Sequence, residues 1–433
     1  SDWSMSANRT DKQLIFEVVD YMKTTPKPLE GVRVLDLTRY LAGPYCTMLL
    51  AGLGAEVIKI EPPERGDIYR NRAPFAGPKG VSEHPQSPDD IGLGLIHRAR
   101  NKKSITLNLH SEEGQSLLRS MCANVDIVVE NYSPGILAEI GCGYDRLKQI
   151  NEKIIVCSMS GFGQNGPMRD WRAYDPIGQA MGGIMAITGF PDKTPIRCGA
   201  AIADTVTPLV GVIGILSALL RRGITGKGDW VDVAMLDVLA FLLPEVIEFY
   251  QGDMMKFPLE NRHPGGVPFN TFAAIDGHVS LACITDKDWH ALLQAMGRND
   301  LIDDTRFTHV IERRENLETV ETLVADWVST QKRDTVVEIL QRHKVVCGPV
   351  LSLDEVIGSA QLRARNMFPE LELPTGEVIP NAFGLGIPIR FTENPLNFDQ
   401  AAPTLGEHNA AVYRSLAGID ETELEGLRQR GVV

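Results

Sequence analysis

The feature that most constrains this chain is a rhythm of five short runs rich in Val and Ile, set apart by turns and helical segments. The runs are VRVLDLT (32–38), AEVIKIE (55–61), KSITLNL (103–109), VDIVVENY (125–132) and KIIVCSMS (153–160). Apolar runs of this length fit strands buried on both faces, and a helix joining two of them makes a right-handed parallel crossover. The segments AGPYCTMLLAGLGA (42–55) and HSEEGQSLLRSMCANV (110–125) have the spacing for such helices. An α/β architecture with a Rossmann-like parallel sheet is the expectation.

Further along, DTVTPLVGVIGILSALLRR (204–222) reads as a mostly buried helix whose basic end suits the helix dipole. TGKGDWVDVAML (225–236) follows as a turn and another strand-like run. The pattern then changes. FNTFAAIDGHVSLACI (269–284) suggests a hairpin turning at Asp276 and Gly277, and helical spacing follows at 287–296 and 317–330. The division expected is a large Rossmann-like domain at 25–230, a linker at 231–260 and a small α+β domain at 261–345. Residues 346–433 are read as a linker and a C-terminal part packing back on the large domain, with a helix at 422–430. A short helical lead is expected at 13–22.

The fifth strand runs into S-G-F-G-Q-N-G-P, which contains G-x-G-x-x-G, the spelling of a dinucleotide-binding turn. That fingerprint requires a helix opening at the turn and an acidic residue about 20 positions on, at the end of the next strand. Here Gly166 is followed by Pro167 and MRDWRAYDP, which does not open a helix. The glycines therefore read as a loop at the carboxyl edge of a parallel sheet, where open α/β sheets bind ligands.

The 56 acidic residues against 43 Lys and Arg leave a net charge of −13, which offers no general attraction to nucleic acid or anionic membranes. An anionic ligand must then be held by local cations, backbone N–H groups or helix N-termini. Seven cysteines without a C-x-x-C pair, and histidines that do not cluster with them, point to reduced thiols and to no metal site. No uninterrupted apolar run approaches the roughly 20 residues that span a bilayer. The N-terminal SDWSMSANRTDKQ lacks the layout of a signal peptide, so a cytoplasmic location is expected, with Ser1 to Ser4 read as an expression remnant.

Several segments, in order, resemble the class III CoA-transferases, the group that includes formyl-CoA:oxalate, carnitine and dicarboxylate CoA-transferases. They are LEGVRVLDLTRYLAGPYCTMLLAGLGAEVIKIEPPERGD, RNKKSITLNL, VENYSPGIL, SMSGFGQNGP, AYDPIGQAMGGIMAITG, AAIADTVTPLVGVIGILSALL and VCGPV. The resemblance implies a ring-shaped subunit of a large and a small domain, interlocked with a second copy in a homodimer. It also implies a CoA thioester as substrate, with no permanently bound cofactor.

On the same resemblance, Asp204 stands at the family's nucleophile and Asp175 at a neighbouring acidic position. A carboxylate that attacks an acyl-CoA forms a mixed anhydride, which CoA thiolate converts to an aspartyl-CoA thioester. Gly265 and Gly266 match a mobile glycine loop over the active site. Residues matching CoA contacts are Tyr40, Ala42, Leu107, Asn131, Tyr132, Arg172 and Tyr174, with Lys102 and Lys103 as further cations that also fit a solvated turn. Read from the residues alone, Asp204 is also a helix N-cap and Asp175 an Asp-Pro turn starter. Pro62 and Glu139 stand where one member carries arginines, which leaves Arg65 or Arg70 to replace them.

Three other functions are compatible with parts of this reading. The α-methylacyl-CoA racemases of the same superfamily carry a histidine base where this chain has Tyr174, and a tyrosine with its usual pKa of about 10 is a poor base at neutral pH. A dinucleotide-dependent oxidoreductase rests on G-x-G-x-x-G alone. A non-catalytic CoA-binding scaffold is the third. The LEGVRVLDLTRYLAGP, AITG and VCGPV segments look closer to the dicarboxylate branch, in which succinyl-CoA is a donor and glutarate, itaconate, citramalate or oxalate are candidate acceptors. The second carboxylate would be held by Arg or backbone donors near the glycine loop.

Overall fold

A computed structural model describes residues 26–253 and 257–433; the helical lead expected at 13–22 lies outside them. The chain divides into two compact units. One comprises the described residues up to 182 with 200–240 and 360–433; the other comprises 183–199 and 241–359.

The first unit is built on a six-stranded sheet: β1 (Arg33–Asp36), β2 (Glu56–Glu61), β3 (Lys102–Thr106), β4 (Ile127–Glu130), β5 (Ile155–Ser160) and β6 (Trp230–Ala234). The order across the sheet is β3-β2-β1-β4-β5-β6, and every pair is parallel. This is the strand order of the dinucleotide-binding folds, and its topological switch point lies between β1 and β4. All five strands expected from sequence are present; β1 and β4 are trimmed at both ends, β2 and β5 at the start only, and β3 begins one residue earlier, at Lys102, and stops at Thr106. Crossover helices include α1 (Ala42–Gly52), α2 (Leu93–Arg98), α3 (Glu112–Cys122), α4 (Asp175–Met181) and α5 (Ile202–Thr225).

Hydrophobic cores lie on both faces of the sheet. Leu35, Ile58, Ile105 and Val128 pack towards α3 and the C-terminal helices Asn409–Ala417 and Glu421–Gln429; Val34, Val57, Ile127 and Ile155 pack towards α1 and α5. The edge strand β3 is covered by the C-terminal segment. Asn409 Oδ1 accepts from the Thr106 N–H at 2.9 Å, and the His408 N–H donates to the Ser104 carbonyl at 2.9 Å. An edge satisfied in this way does not present a row of open donors and acceptors to another chain.

Helix α5 departs from expectation in two ways. It is long and apolar enough to cross a membrane by length and composition, which the search for uninterrupted apolar runs missed. It also buries only one face, through Val212, Ile215 and Ala218 against Cys46, Cys157 and Met159. The opposite face leaves Leu209, Ile213, Leu220 and Ile224 43%, 63%, 76% and 87% exposed, so it is not the mostly buried helix that its composition suggested.

The second unit pairs β7 (Phe269–Ala274), β8 (Gly277–Ala282) and β9 (Val346–Pro349) as an antiparallel sheet, and the hairpin turns at Ile275 and Asp276. Helices α6 (Asp286–Ala295), α7 (Leu317–Ser329) and α8 (Arg333–Arg342) enclose a core of Phe272, Val279, Leu281, Trp289, Val320, Val324 and Leu340. The buried Arg313 guanidinium ties the loops around it, donating to the carbonyls of Val267 at 2.8 Å and Phe307 at 3.0 Å.

Beneath the carboxyl edge of the large sheet lies a buried charge network. Asp36, the last residue of β1, accepts from Lys102 Nζ at 2.9 Å and Thr47 Oγ1 at 2.7 Å, while Lys59 Nζ reaches Asp67 Oδ2 at 2.7 Å. Burial raises the Asp36 pKa, but Lys102, Lys59 and the Thr38 and Lys102 hydrogen bonds outweigh it and hold it at about 2. Burial draws Lys102 down to about 8, against the pull of Asp36, so both groups are charged at neutral pH. Removing one partner of a buried pair leaves an uncompensated charge. Lys102→Met is expected to lower stability by about 3–5 kcal/mol in urea denaturation followed by circular dichroism; an unchanged midpoint would contradict this account.

Candidate active site

The site is assembled from the loops that follow β1, β4 and β5, at the switch point. After Thr38 the chain turns through Arg39 and Tyr40, where Tyr40 adopts φ 66°, and enters α1 at Ala42. Asn131, just beyond β4, fixes this turn through both ends of its amide. Its Oδ1 accepts from the Arg39 N–H and its Nδ2 donates to the Arg39 carbonyl, each at 2.8 Å. The Arg39 guanidinium lies over the Tyr132 ring at 5.3 Å, and Tyr40 meets Tyr174 edge-on at 5.9 Å.

These loops surround a cavity of about 310 Å³ whose walls include Tyr40, Ala42, Asn131, Tyr132, Arg172, Tyr174 and Asp204. Seven of the residues singled out from sequence thus meet at one place. A larger cavity of about 670 Å³ shares Arg39 and Tyr40 with it and continues past Arg65, Asn71, Asn108 and His110.

Asp204 sits in the first turn of α5 and is not its N-cap, a position held by Ala201. The capping carboxylate comes from Asp175, the first residue of α4. Its Oδ1 accepts from the Ala203 N–H at 2.9 Å, and its Oδ2 accepts from Gln179 Nε2 at 2.8 Å. Asp175 therefore satisfies an otherwise orphaned amide at the start of α5 and places a second carboxylate beside Asp204. Burial, then the Asp175 charge, pushes the Asp204 pKa up to about 6, while Arg98 opposes them. A carboxylate in this state is poorly solvated yet ionised at neutral pH, the condition of an active nucleophile or base.

Lys102, Lys103, Leu107 and Arg70 do not line this cavity. Lys103 pairs with Glu56 at 2.5 Å at the amino end of the sheet, and Lys102 is not on a solvated turn but buried against Asp36. Leu107 is buried in the core behind β3, its N–H donating to the Glu61 carbonyl at 2.8 Å. Arg70 is held by both oxygens of Glu61 at 2.7 Å, which removes it as a replacement cation, whereas Arg65 lines the larger cavity. Gly265 and Gly266 lie in the second unit, in the turn before β7, with the Gly265 N–H donating to His263 Nδ1 at 3.0 Å.

The G-x-G-x-x-G loop opens no helix at Gly166; the next helix is α4. Its glycines serve the turn itself, since Gly163 and Gly166 have φ of 87° and 88° and the Gly163 N–H donates to Ser160 Oγ at 2.9 Å. Sequence reasoning missed Arg39 and Arg98. Arg39 could have been found from its place at the carboxyl end of the first strand; Arg98, inside the basic run HRARNKK, carries no signal that separates it from surface charge.

A parallel sheet in this strand order, with a carboxylate-bearing cavity at the switch point, defines an α/β enzyme of the nucleotide-fold type. The description of CoA-transferase family III matches residues 29–409. The chain is 34% identical to succinyl-CoA–D-citramalate CoA-transferase of Chloroflexus aurantiacus, over 94% of this chain and 98% of that one. It is equally 34% identical to succinate–glutarate CoA-transferase of Agrobacterium fabrum, over 93% and 98% of the two chains. The crystal structure of a CAIB/BAIF family protein from Brucella suis superimposes with a TM-score of 0.77 at 35% identity, over 90% of this chain and all of that one. The chain belongs to CoA-transferase family III and is a CoA-transferase.

The raised pKa of Asp204 has a consequence for stability. Its folded-state value of about 6 lies above the ordinary 3.8, so the folded protein binds a proton more tightly than the unfolded chain. The stability this confers is complete below the ordinary value and is lost as pH rises through the folded-state value. Asp204→Asn is expected to be more stable than the parent by about 2 kcal/mol near pH 7.5 and equal to it near pH 4, measured by denaturant titration at both pH values. A constant difference across that range would remove the electrostatic explanation.

Proposed function

We propose that the protein moves CoA from succinyl-CoA, or another short dicarboxylyl-CoA, to a carboxylic acid acceptor through a thioester on Asp204. The observation that carries this reading is the position of Asp204 in the cavity at the switch point, partly desolvated and beside a second carboxylate. In the first half-reaction the Asp204 carboxylate attacks the donor thioester carbonyl, and CoA thiolate leaves from the mixed anhydride. The thiolate then attacks the aspartyl carbonyl, releasing the donor acid and leaving aspartyl-CoA. The acceptor carboxylate repeats the sequence in reverse: it displaces thiolate to form its own anhydride with Asp204, and thiolate attacks the acceptor carbonyl to free Asp204. No electrons are transferred overall, and neither half-reaction calls on a metal or redox cofactor.

Two cavities that share Arg39 and Tyr40 support this reading, with the CoA phosphates assigned to Arg39 and Arg65 in the larger one and the thioester to Asp204 in the smaller. The names of the relatives, which specify succinyl-CoA with citramalate or succinate with glutarate, support a dicarboxylate substrate. A racemase reading has less support because no histidine among the described residues lines the Asp204 cavity. Incubation with succinyl-CoA and then hydroxylamine is expected to add about 15 Da at Asp204 in the wild type and nothing in Asp204→Ala, as an activated acyl-enzyme requires. Labelling should slow as pH falls below about 6, where Asp204 takes up a proton. Arg65→Ala should need about 10-fold more succinyl-CoA for half-maximal labelling. A wild type that gains no mass sinks the covalent mechanism.

The protein is also proposed to be a homodimer, its second copy covering the bare face of α5. A stripe of Leu209, Ile213, Leu220 and Ile224 at helical spacing is larger than isolated surface apolar residues explain. Sedimentation velocity should give a dimer for the wild type and a monomer for the double variant Ile213→Glu/Leu220→Glu. A wild-type monomer at micromolar concentration would refute the assembly.

A further inference from the structure

Arg98 closes α2 and points its guanidinium into the interior of the large unit. The group lies over the Tyr69 ring at 4.1 Å, and both side chains occupy the space that a side chain at position 94 would fill. A Cβ on Gly94 would stand 2.6 Å from Arg98 Nη2 and 2.6 Å from Tyr69 Cδ1. Glycine there leaves a slot, and the slot is filled by a cation.

That cation is incompletely satisfied. Nη2 is buried and has no hydrogen-bond partner among the described residues. A buried donor on a charged group left without an acceptor is destabilising by about 1–3 kcal/mol or more, so its persistence asks for a ligand. The acids nearby are already engaged. Asp67 accepts from Lys59 at 2.7 Å and from the Tyr69 N–H at 2.8 Å, and Glu61 holds Arg70 and accepts from Ser104 Oγ at 2.6 Å. Arg98 feels the charge of Asp204, yet no ion pair joins the two.

Arg98 borders a space of about 10 Å³, enough for one water, walled also by Tyr69, Lys59, Lys102 and Tyr40. Tyr40 lines the Asp204 cavity as well, so one residue borders both the space at the guanidinium and the cavity that holds the carboxylate. Tyr40 is 39% exposed, and its ring rests edge-on against Tyr174.

We infer that Arg98 holds the distal carboxylate of a dicarboxylic acyl group whose other end reacts at Asp204, with Tyr40 moving to admit it. This rests on the reading of Asp204 as nucleophile and adds the element that selects diacids over monoacids. The guanidinium supplies charge-assisted hydrogen bonds to a carboxylate. Lys59 and Lys102, which share the small space, cannot take this part because their ammonium groups are engaged by Asp67 and Asp36.

The test compares acceptors that differ only in the distal carboxylate. In ping-pong exchange, kcat/KM for the acceptor reports the second half-reaction alone, so a slower donor step does not confuse it. The wild type is assayed with diacids from oxalate to adipate, and the preferred diacid is then paired with the monoacid of equal chain length. Arg98→Met, which keeps the stem and removes the charge, is expected to reduce kcat/KM for the diacid about 100-fold, mostly through KM, and to change the monoacid less than about threefold. Arg98→Lys, which keeps the cation but loses the planar fork, should fall between them. Equal losses for both acceptors, or a diacid preference that survives in Arg98→Met, would overturn the assignment. A wild type that transfers CoA to no acid, or an Asp204→Ala variant that still does, would instead overturn the nucleophile reading beneath it.

Discussion

The carboxyl edge of the large sheet depends on one buried ion pair, Asp36 with Lys102. A fully buried carboxylate is tolerable only when its lone pairs are occupied, and here an ammonium, two hydroxyls and the Thr38 N–H occupy them. The donors come from different places: Lys102 from β3, Thr47 from α1 and Thr38 from the turn itself. Satisfying one carboxylate therefore fixes β3, α1 and the end of β1 relative to one another. Lys59 extends the constraint by donating to the Thr38 carbonyl at 3.1 Å. The Arg39–Tyr40 turn inherits its position from this network, and Asn131 completes it from across the switch point.

The opposite wall of the cavity is set by a second carboxylate used differently. Asp175 caps α5 through the Ala203 N–H, so the helix that carries Asp204 begins where Asp175 allows it to begin. The arrangement couples architecture to reactivity. The group that secures the helix also raises the pKa of the neighbour it positions, and the helix gains a cap at the expense of a destabilised Asp204. Perturbed carboxylates of this kind, offset by a well-packed surround, cluster at functional sites.

The strands were legible because burial on both faces writes them as continuous apolar runs, and the hairpin of the second unit because Asp-Gly marks its turn to within one residue, Gly277 opening β8. Strand order was not legible, since nothing in the spacing says that β1 pairs with β4. The Lys102–Lys103 pair shows a finer limit. Read as a basic dipeptide it suggests a solvated turn, but on a strand adjacent residues face opposite ways, which sends one to Asp36 and the other to Glu56. The cap of α5 was misassigned because the capping carboxylate lies 28 positions from the amide it serves, beyond any local pattern. The apolarity of α5 was visible, but sequence cannot say whether an apolar face is covered by its own chain.

A chain of net charge −13 that binds an anionic thioester must keep some cations out of ion pairs, and their distribution shows where. Arg70 and Lys102 are neutralised by buried acids and belong to the framework. Among the described residues the guanidinium groups of Arg39, Arg65 and Arg98 form no ion pair, and each borders one of three cavities that Tyr40 also lines. Arg39 and Arg65 lie along the wide, solvent-open cavity, where their charge is screened and suits flexible phosphates. Arg98 lies behind Tyr40, desolvated, where a single carboxylate gains far more from it than it would at the surface. On the proposed roles, unpaired arginines at different depths would separate recognition of the carrier from recognition of the acyl group.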